Sequence, residues 1–342
     1  MYTFVEYIWI DAENNYRSKT KVYNKNINKL EDVEVWNFDG SSTNQNKIKN
    51  NTEVVIKPVC LKPDPFRGGN NKLVLCECYD PSKNSNDELN KTNTRKGAEE
   101  IFNKNKKLEP WFGMEQEYFI LDKKTKKPIG LEEHDEQGTH YCGVGNSVKS
   151  ISRAIMEHHL QLCMRANINM SGCNVEVAPG QLEYQVGPCI GINMGDELHL
   201  SRYILYRVGE IFNVDISFHP KPIKSENWNG SGCHTNFSTK RMRDGTKNKE
   251  GIYYILTAIE KLEKKHNKHI ENYGIDNNLR MSGNCETSSY DKFSYSVGGR
   301  DVSIRIGNET FKNKKGYFED RRPSSNCDPY IVTSLIYETC CL

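Results

Sequence analysis

Residues 111–121 read Trp111-Phe112-Gly113-Met114-Glu115-Gln116-Glu117-Tyr118-Phe119-Ile120-Leu121, an apolar strand-like run that carries two carboxylates one residue apart. In a strand, residues i and i+2 leave the same face, so Glu115 and Glu117 lie side by side where the chain heads into a core. Two anions crowded there at low dielectric repel each other. A divalent cation turns that penalty into coordination.

The pattern recurs at residues 173–186, where Pro179-Gly180 marks a turn between two short strands. With 178–181 as the loop, Val177 pairs with Leu182 and Glu176 faces Glu183, a like-charged pair that a bare sheet disfavours. Two acid-bearing strands can thus line one polynuclear metal site.

The chain has 342 residues, with 47 basic and 45 acidic side chains, so no global field favours nucleic acid or a membrane. The length allows one large domain or two unequal ones. Twelve cysteines occur without a C-x-x-C pair, mostly in apolar stretches, which predicts reduced thiols and a cytoplasmic location. No apolar run approaches the roughly 18 residues a membrane helix needs.

Short strands are expected at residues 2–10, 17–23, 33–38, 53–59 and 72–79, a β-rich N-terminal domain over 1–82. A linker follows at 83–93, then an α+β catalytic domain over 94–342. Helices are expected at 94–107, 147–166, 196–212, 251–273 and 328–337. The Asn/Lys clusters at 45–51, 83–93 and 123–127 read as solvated loops, and the aromatics Tyr7, Trp9, Trp36 and Phe38 as core.

Asn229 to Ser238 combine a small-residue loop with a strand whose His234, Asn236 and Ser238 share one face, suited to phosphate and metal. Arg305 sits on a probable strand with apolar neighbours and calls for an anion, while Glu319 and Arg321 share a face as an ion pair or as separate site residues. His266 and His269 fall on a Lys- and Glu-rich helix and read as a solvated face. No Walker loop, G-x-S-x-G or H-E-x-x-H is present.

Together with residues 36–43, 64–71, 141–145, 179–187, 228–236 and 316–330, these motifs resemble glutamine synthetase of the short, eukaryotic-type class over essentially the whole chain. The resemblance implies a β-grasp N-terminal domain and a catalytic domain with an open, barrel-like antiparallel sheet flanked by helices. It also implies a homo-oligomer of stacked rings, a decamer, with active sites between subunits.

By the same resemblance Glu117, Glu176 and Glu183 would hold one Mg²⁺ or Mn²⁺, and Glu115, His234 and Glu319 a second that also touches ATP. His234, Asn236, Ser238, Arg300, Arg305 and Tyr317 would bind ATP. Ser42, Asn229, Gly230, Arg280 and Arg321 would bind substrate. Asp39, Glu286 and Arg300 would be catalytic, Asp39 and Glu286 building the ammonium site, since ammonium must lose a proton to become nucleophilic.

The implied reaction joins L-glutamate and ammonia through γ-glutamyl phosphate. The rivals are a γ-glutamylamide ligase with another amine, and a non-catalytic oligomer on the same scaffold. Some positions depart from the family pattern: Asn284-Cys285 stands where two histidines are common, Leu182 replaces a tryptophan, and Asp301 follows Arg300. A charge at Asp301 weakens ATP binding unless it points away.

Overall fold

The computed structural model describes residues 2–47, 51–81, 88–131, 138, 140–145, 149–225, 227–285 and 287–342. They form an α+β chain of two compact units, Met1–Gly97 with Leu162–Ile168, and Ala98–Gln161 with Asn169–Leu342.

The first unit is a mixed six-stranded sheet of β1 (Thr3–Ile10), β2 (Tyr16–Tyr23), β3 (Trp36–Asp39), β4 (Glu53–Pro63), β5 (Lys72–Asp80) and β6 (Glu88–Leu89). Its order is β2-β1-β5-β4-β3, with β6 on the end of β5 and β1 parallel to β5. Period-2 alternation sends Val5, Tyr7 and Trp9 into the core, where Trp9 stacks on Phe38 at 4.4 Å and Tyr7 meets Trp36 edge-on at 5.2 Å. Within the Asn-rich segments, Gln45, Asn46 and Asn90 are buried rather than solvated: the Asn46 amide donates to the Glu53 carbonyl at 3.0 Å and that of Asn90 to the Gln45 carbonyl at 3.3 Å. Amides satisfied in this way can be buried without penalty.

The second unit is built on an eight-stranded sheet of β7 (Trp111–Leu121), β8 (Met170–Val175), β9 (Gln181–Ile190), β10 (Asp215–Ser217), β11 (Cys233–Ser238), β12 (Tyr295–Val297), β13 (Ile304–Ile306) and β14 (Phe318–Asp320). The order is β12-β13-β14-β11-β7-β9-β8, with β10 on the far end of β7, and every pair is antiparallel except β12 with β13. Helix Asn193–Phe212 packs on β7 and β9, and on helix Pro329–Cys341. That last helix starts with Pro329 behind an Asp328 cap, whose Oδ1 accepts from Tyr330 N at 2.8 Å.

The helix expected over 251–273 breaks at Lys265 into Gly251–Lys264 and His266–Ile270. The buried face runs on through the break, since His266 and His269 continue the three- and four-residue spacing of Ile255, Ala258, Ile259 and Leu262, and both imidazoles therefore point inward, contrary to the solvated reading. His269 is fully buried, its Nδ1 2.6 Å from the Tyr273 hydroxyl, which donates to Asp320. His266 Nδ1 is 3.1 Å from Arg322, and its Nε2 is 2.9 Å from the Tyr290 carbonyl. Since a guanidinium only donates, Nδ1 accepts and Nε2 carries the proton.

Candidate active site

Strand register assembles the site. On β7, Glu117 stands opposite Glu183 of β9, and Glu115 lies between Gln185 of β9 and His234 of β11. On the next strands Asn236 faces Glu319, and Glu319 faces Arg305. One sheet face therefore carries acids, an imidazole and a guanidinium in adjacent rows.

Among the described residues two groups could hold a metal ion: Glu115, His234 and Glu319, and Glu117, Glu183 and His234, with the ligand atoms of each within 4.8 Å of one another. The imidazole links them, its Nδ1 3.5 Å from Glu319 and 3.7 Å from Glu115, its Nε2 3.8 Å from Glu117. The first group is the set expected for one ion. In the second, His234 stands where Glu176 was expected.

The hairpin register explains the difference. Asn174 pairs with Glu183 and Val175 with Leu182, two residues away from the predicted pairing, so Glu176 meets Gln181 instead of Glu183. The turn is drawn tight at Gly180, whose carbonyl accepts from Ile120 N at 2.8 Å and where an added Cβ would lie 2.9 Å from Ile129 N. At φ +69° this position favours glycine. Glu176 lines the cavity nonetheless, accepts a bond from Asn174 Nδ2 at 2.7 Å, and its charge acts on both Glu117 and Glu183.

Burial, then the charge of Glu176, pushes the Glu117 carboxyl up to about 8, against the Gly232 N–H that bonds it at 2.7 Å. Burial, then Glu115, Glu117 and Glu176, pushes Glu183 well above the carboxylate range. Burial, then Arg321, holds His234 well below its usual value, keeping the imidazole neutral as a metal ligand must be. Buried carboxylates that raise one another, with hard oxygens and one neutral nitrogen, fit Mg²⁺ or Mn²⁺.

Glu319 does form the ion pair with Arg321, at 2.7 Å, and a second with Arg305 at 2.6 Å. Arg321 Nε also donates to the Arg300 carbonyl at 3.0 Å, and the Arg300 guanidinium is 5.8 Å from the Tyr141 ring. Arg280 is buried, which brings its pKa down to about 10. Its NH2 is held by the carbonyls of Arg321 and Arg322 at 2.9 and 2.8 Å, and its Nε by Asn277 at 3.3 Å. Gly230 packs so closely that an added Cβ would sit 2.4 Å from both Arg280 Cγ and the Pro220 carbonyl.

These groups, with Asn229, Cys285 and Thr287, line a cavity of about 840 Å³. A second cavity of about 1000 Å³ shares Glu115 and Gln185 with it and is mostly apolar, lined by Trp111, Phe112, Phe237, Asn236, Ser238, Tyr317 and Arg243 among others. A compartment lined by Arg280, Arg300, Arg305 and Arg321 in contact with an apolar one suits a nucleotide. The Arg243 guanidinium lies 4.0 Å from the Trp111 ring centre, and NH1 donates to Ser238 Oγ at 3.0 Å.

Sequence reasoning missed Arg243, Trp111 and Gln181 as site residues. Gln181 donates to Glu117 at 3.2 Å and to the Gly230 carbonyl at 3.0 Å, and the 181, 183, 185 alternation on β9 carried the signal for it. No comparable pattern marks Arg243. Asp301 is exposed and lines neither cavity.

Asp39 and Ser42 belong to the first unit and are exposed. Asp39 Oδ1 accepts from Ser41 Oγ at 2.7 Å and Ser41 N at 3.0 Å, bonds that hold its carboxyl below the usual range. Glu286 lies outside the described residues.

Comparison with known proteins gives a consistent picture. Residues 1–81 match the family model of the glutamine synthetase β-grasp domain, and residues 92–250 that of the glutamine synthetase catalytic domain. The chain is 50% identical to a glutamine synthetase of Candida glabrata over 339 residues, 98% of this chain and 88% of that one. It is 47% identical to the Agaricus bisporus glutamine synthetase (98% and 92% covered) and 46% identical to a putative glutamine synthetase of Acanthamoeba polyphaga mimivirus (99% and 94%).

Proposed function

The chain belongs to the glutamine synthetase family and is an ATP-dependent glutamate–ammonia ligase; on that premise we propose which of its side chains do what. The convergence of Glu115, Glu117, Glu183, His234 and Glu319 on one sheet face carries the reading.

Two divalent ions, Mg²⁺ or Mn²⁺, would be held by these five residues with Glu176, and would supply charge neutralisation to the polyphosphate. Arg300, Arg305 and Arg321 take the transferred phosphate, and their fixed charge stabilises the transfer from ATP to the glutamate γ-carboxylate. Tyr317, Asn236 and Ser238 hold the nucleotide at the mouth of the apolar cavity. Arg280, anchored through Nε and NH2, offers NH1 to glutamate beside Asn229 and Gly230. Orienting the two reactants in one cavity accounts for much of the acceleration expected of such an enzyme.

Asp39, kept ionised by Ser41, receives ammonium together with Glu286 and takes the proton that frees the nucleophile, while Ser42 binds substrate. We place this set at a boundary between subunits of a homo-oligomer of stacked rings, and place the protein in the cytoplasm, where its free thiols stay reduced. The β-grasp domain is taken as residues 1–82, the linker as 83–93 and the catalytic domain as 94–342.

The test is phosphate release measured with glutamate, ammonia and Mg²⁺ supplied together and with each omitted in turn. Release that requires all three is the expected outcome. Release independent of metal would refute the assignment of the carboxylates, and equal release with bulky amines would refute the ammonium pocket.

A further inference from the structure

Alternation along β7 places Glu115 and Glu117 in the cavity and sends Gln116 to the opposite face, where it is completely buried under helix Asn193–Phe212. An amide there is costly unless every hydrogen bond is made. All four are: Nε2 donates to the Glu117 carbonyl at 2.8 Å and the Ser325 carbonyl at 3.0 Å, and Oε1 accepts from Arg202 Nε at 2.8 Å and NH2 at 2.6 Å.

Arg202 is 5% exposed, and it spends the rest of its fork on main-chain carbonyls, Cys327 at 2.8 Å and Ser325 at 3.0 Å. The segment it grips follows Glu319 and Arg321 directly. Ser325 N in turn donates to the Ser231 carbonyl at 3.1 Å, and Cys233 N to the Pro323 carbonyl at 2.9 Å, beside His234. One saturated knot behind the sheet therefore ties the three chain segments that bring Glu115 and Glu117, His234, and Glu319 to the front.

We propose that Gln116 and Arg202 are positioning residues that set the spacing of the metal-binding carboxylates from behind β7. A buried cation fixed by planar, two-pronged bonds is a poor source of net stability, since apolar replacements of such groups are often neutral or stabilising. Its advantage is geometric: the guanidinium fork admits one arrangement of the strands it bridges. The proposal rests on the metal reading given under Proposed function.

The test compares Arg202→Lys and the paired change Gln116→Met with Arg202→Met against the parent. Mn²⁺ dissociation constants are measured by titration calorimetry, and Tm is measured in EDTA. Lysine keeps the charge and loses the fork, whereas the paired change removes the polar knot at similar volume. Both are expected to weaken Mn²⁺ binding by roughly tenfold or more, as loss of supporting bonds around metal ligands does elsewhere, while Tm in EDTA stays within a few degrees of the parent.

Mn²⁺ affinity within about twofold of the parent in either folded variant would overturn the proposal. So would failure of both variants to fold, because the knot would then hold the fold and not the ligand spacing. If the parent itself takes up no Mn²⁺, the metal reading fails, an outcome distinct from the other two.

Discussion

Glu183→Gln should make the metal-free protein more stable and the metal-loaded protein less so. Glu117 and Glu183 bring ligand oxygens within 4.8 Å of each other, and two unit charges at that separation repel by about 3–4 kcal/mol at an effective dielectric constant of ~20. Since Glu183 escapes this repulsion by keeping its proton in the folded state, the relief is the cost of that proton, about 1.4 kcal/mol for each pH unit above the ordinary glutamate value of about 4.3, or on the order of 3 kcal/mol near neutral pH. Glutamine keeps the acceptor oxygen that Gln185 bonds, so packing is preserved.

At about 2 °C per kcal/mol for a unit of this size, Tm in EDTA should rise by roughly 5 °C. Because the parent carboxyl has a raised pKa when folded, the parent loses stability as pH rises above the ordinary glutamate value, and the advantage of the variant should grow with pH. With Mn²⁺ in excess the parent gains about 3 kcal/mol at a hundred times its dissociation constant. The variant gains much less, so the two melting curves exchange order. Scanning calorimetry in EDTA and in Mn²⁺ reads this directly. A variant that melts several degrees below the parent in EDTA and gains as much from Mn²⁺ would refute the argument.

Gly230→Ala forces a Cβ to within 2.4 Å of Arg280 Cγ and of a backbone carbonyl, and should raise the KM for glutamate roughly tenfold through displacement of Arg280; steady-state kinetics with glutamate varied is the check. Burial holds His159 at about 4, with its Nε2 against the Ser201 carbonyl. The unfolded chain takes up this proton first, so stability is full above about pH 6.5 and falls by on the order of 2–3 kcal/mol toward pH 4. Urea midpoints at pH 7 and pH 5 should show the loss, and His159→Leu should lessen it. Asp301→Asn should leave the KM for ATP within about twofold, since exposed charges are well screened; a larger change would mean that Asp301 faces the phosphates.

What could be read from the sequence was what local periodicity determines. The Glu115/Glu117 pair followed from a strand period of two. So did the N-terminal strands, where Val5, Tyr7 and Trp9 point inward as their spacing demands. The hairpin register did not follow, because it depends on how deeply Gly180 nests against Ile120 and Ile129, a tertiary contact about fifty residues distant from Ile129 along the chain. His266 and His269 were misread for a different reason: the Lys- and Glu-rich composition of residues 260–271 suggests a solvated helix, whereas their spacing from Ile255, Ile259 and Leu262 continues the buried face on which they meet Arg322 and Tyr273.

The front and back of the central strands differ in what the sequence discloses. Cavity-facing acids stand out because isolated charges in apolar runs need a reason to be there. The groups behind them, Gln116 on β7 and Asp320 and Arg322 around β14, look like ordinary polar residues in a motif, although each is fully buried and bonded. The pair of Asp320 with Arg322 supports Glu319 from behind, as the pair of Gln116 with Arg202 supports Glu117. The ligand-bearing strands β7, β11 and β14 thus have to be fixed on the other face, since a strand as short as β14 has too few ladder bonds to hold a carboxylate in place by itself. The alternation that exposes the ligands also creates the positions from which they can be held.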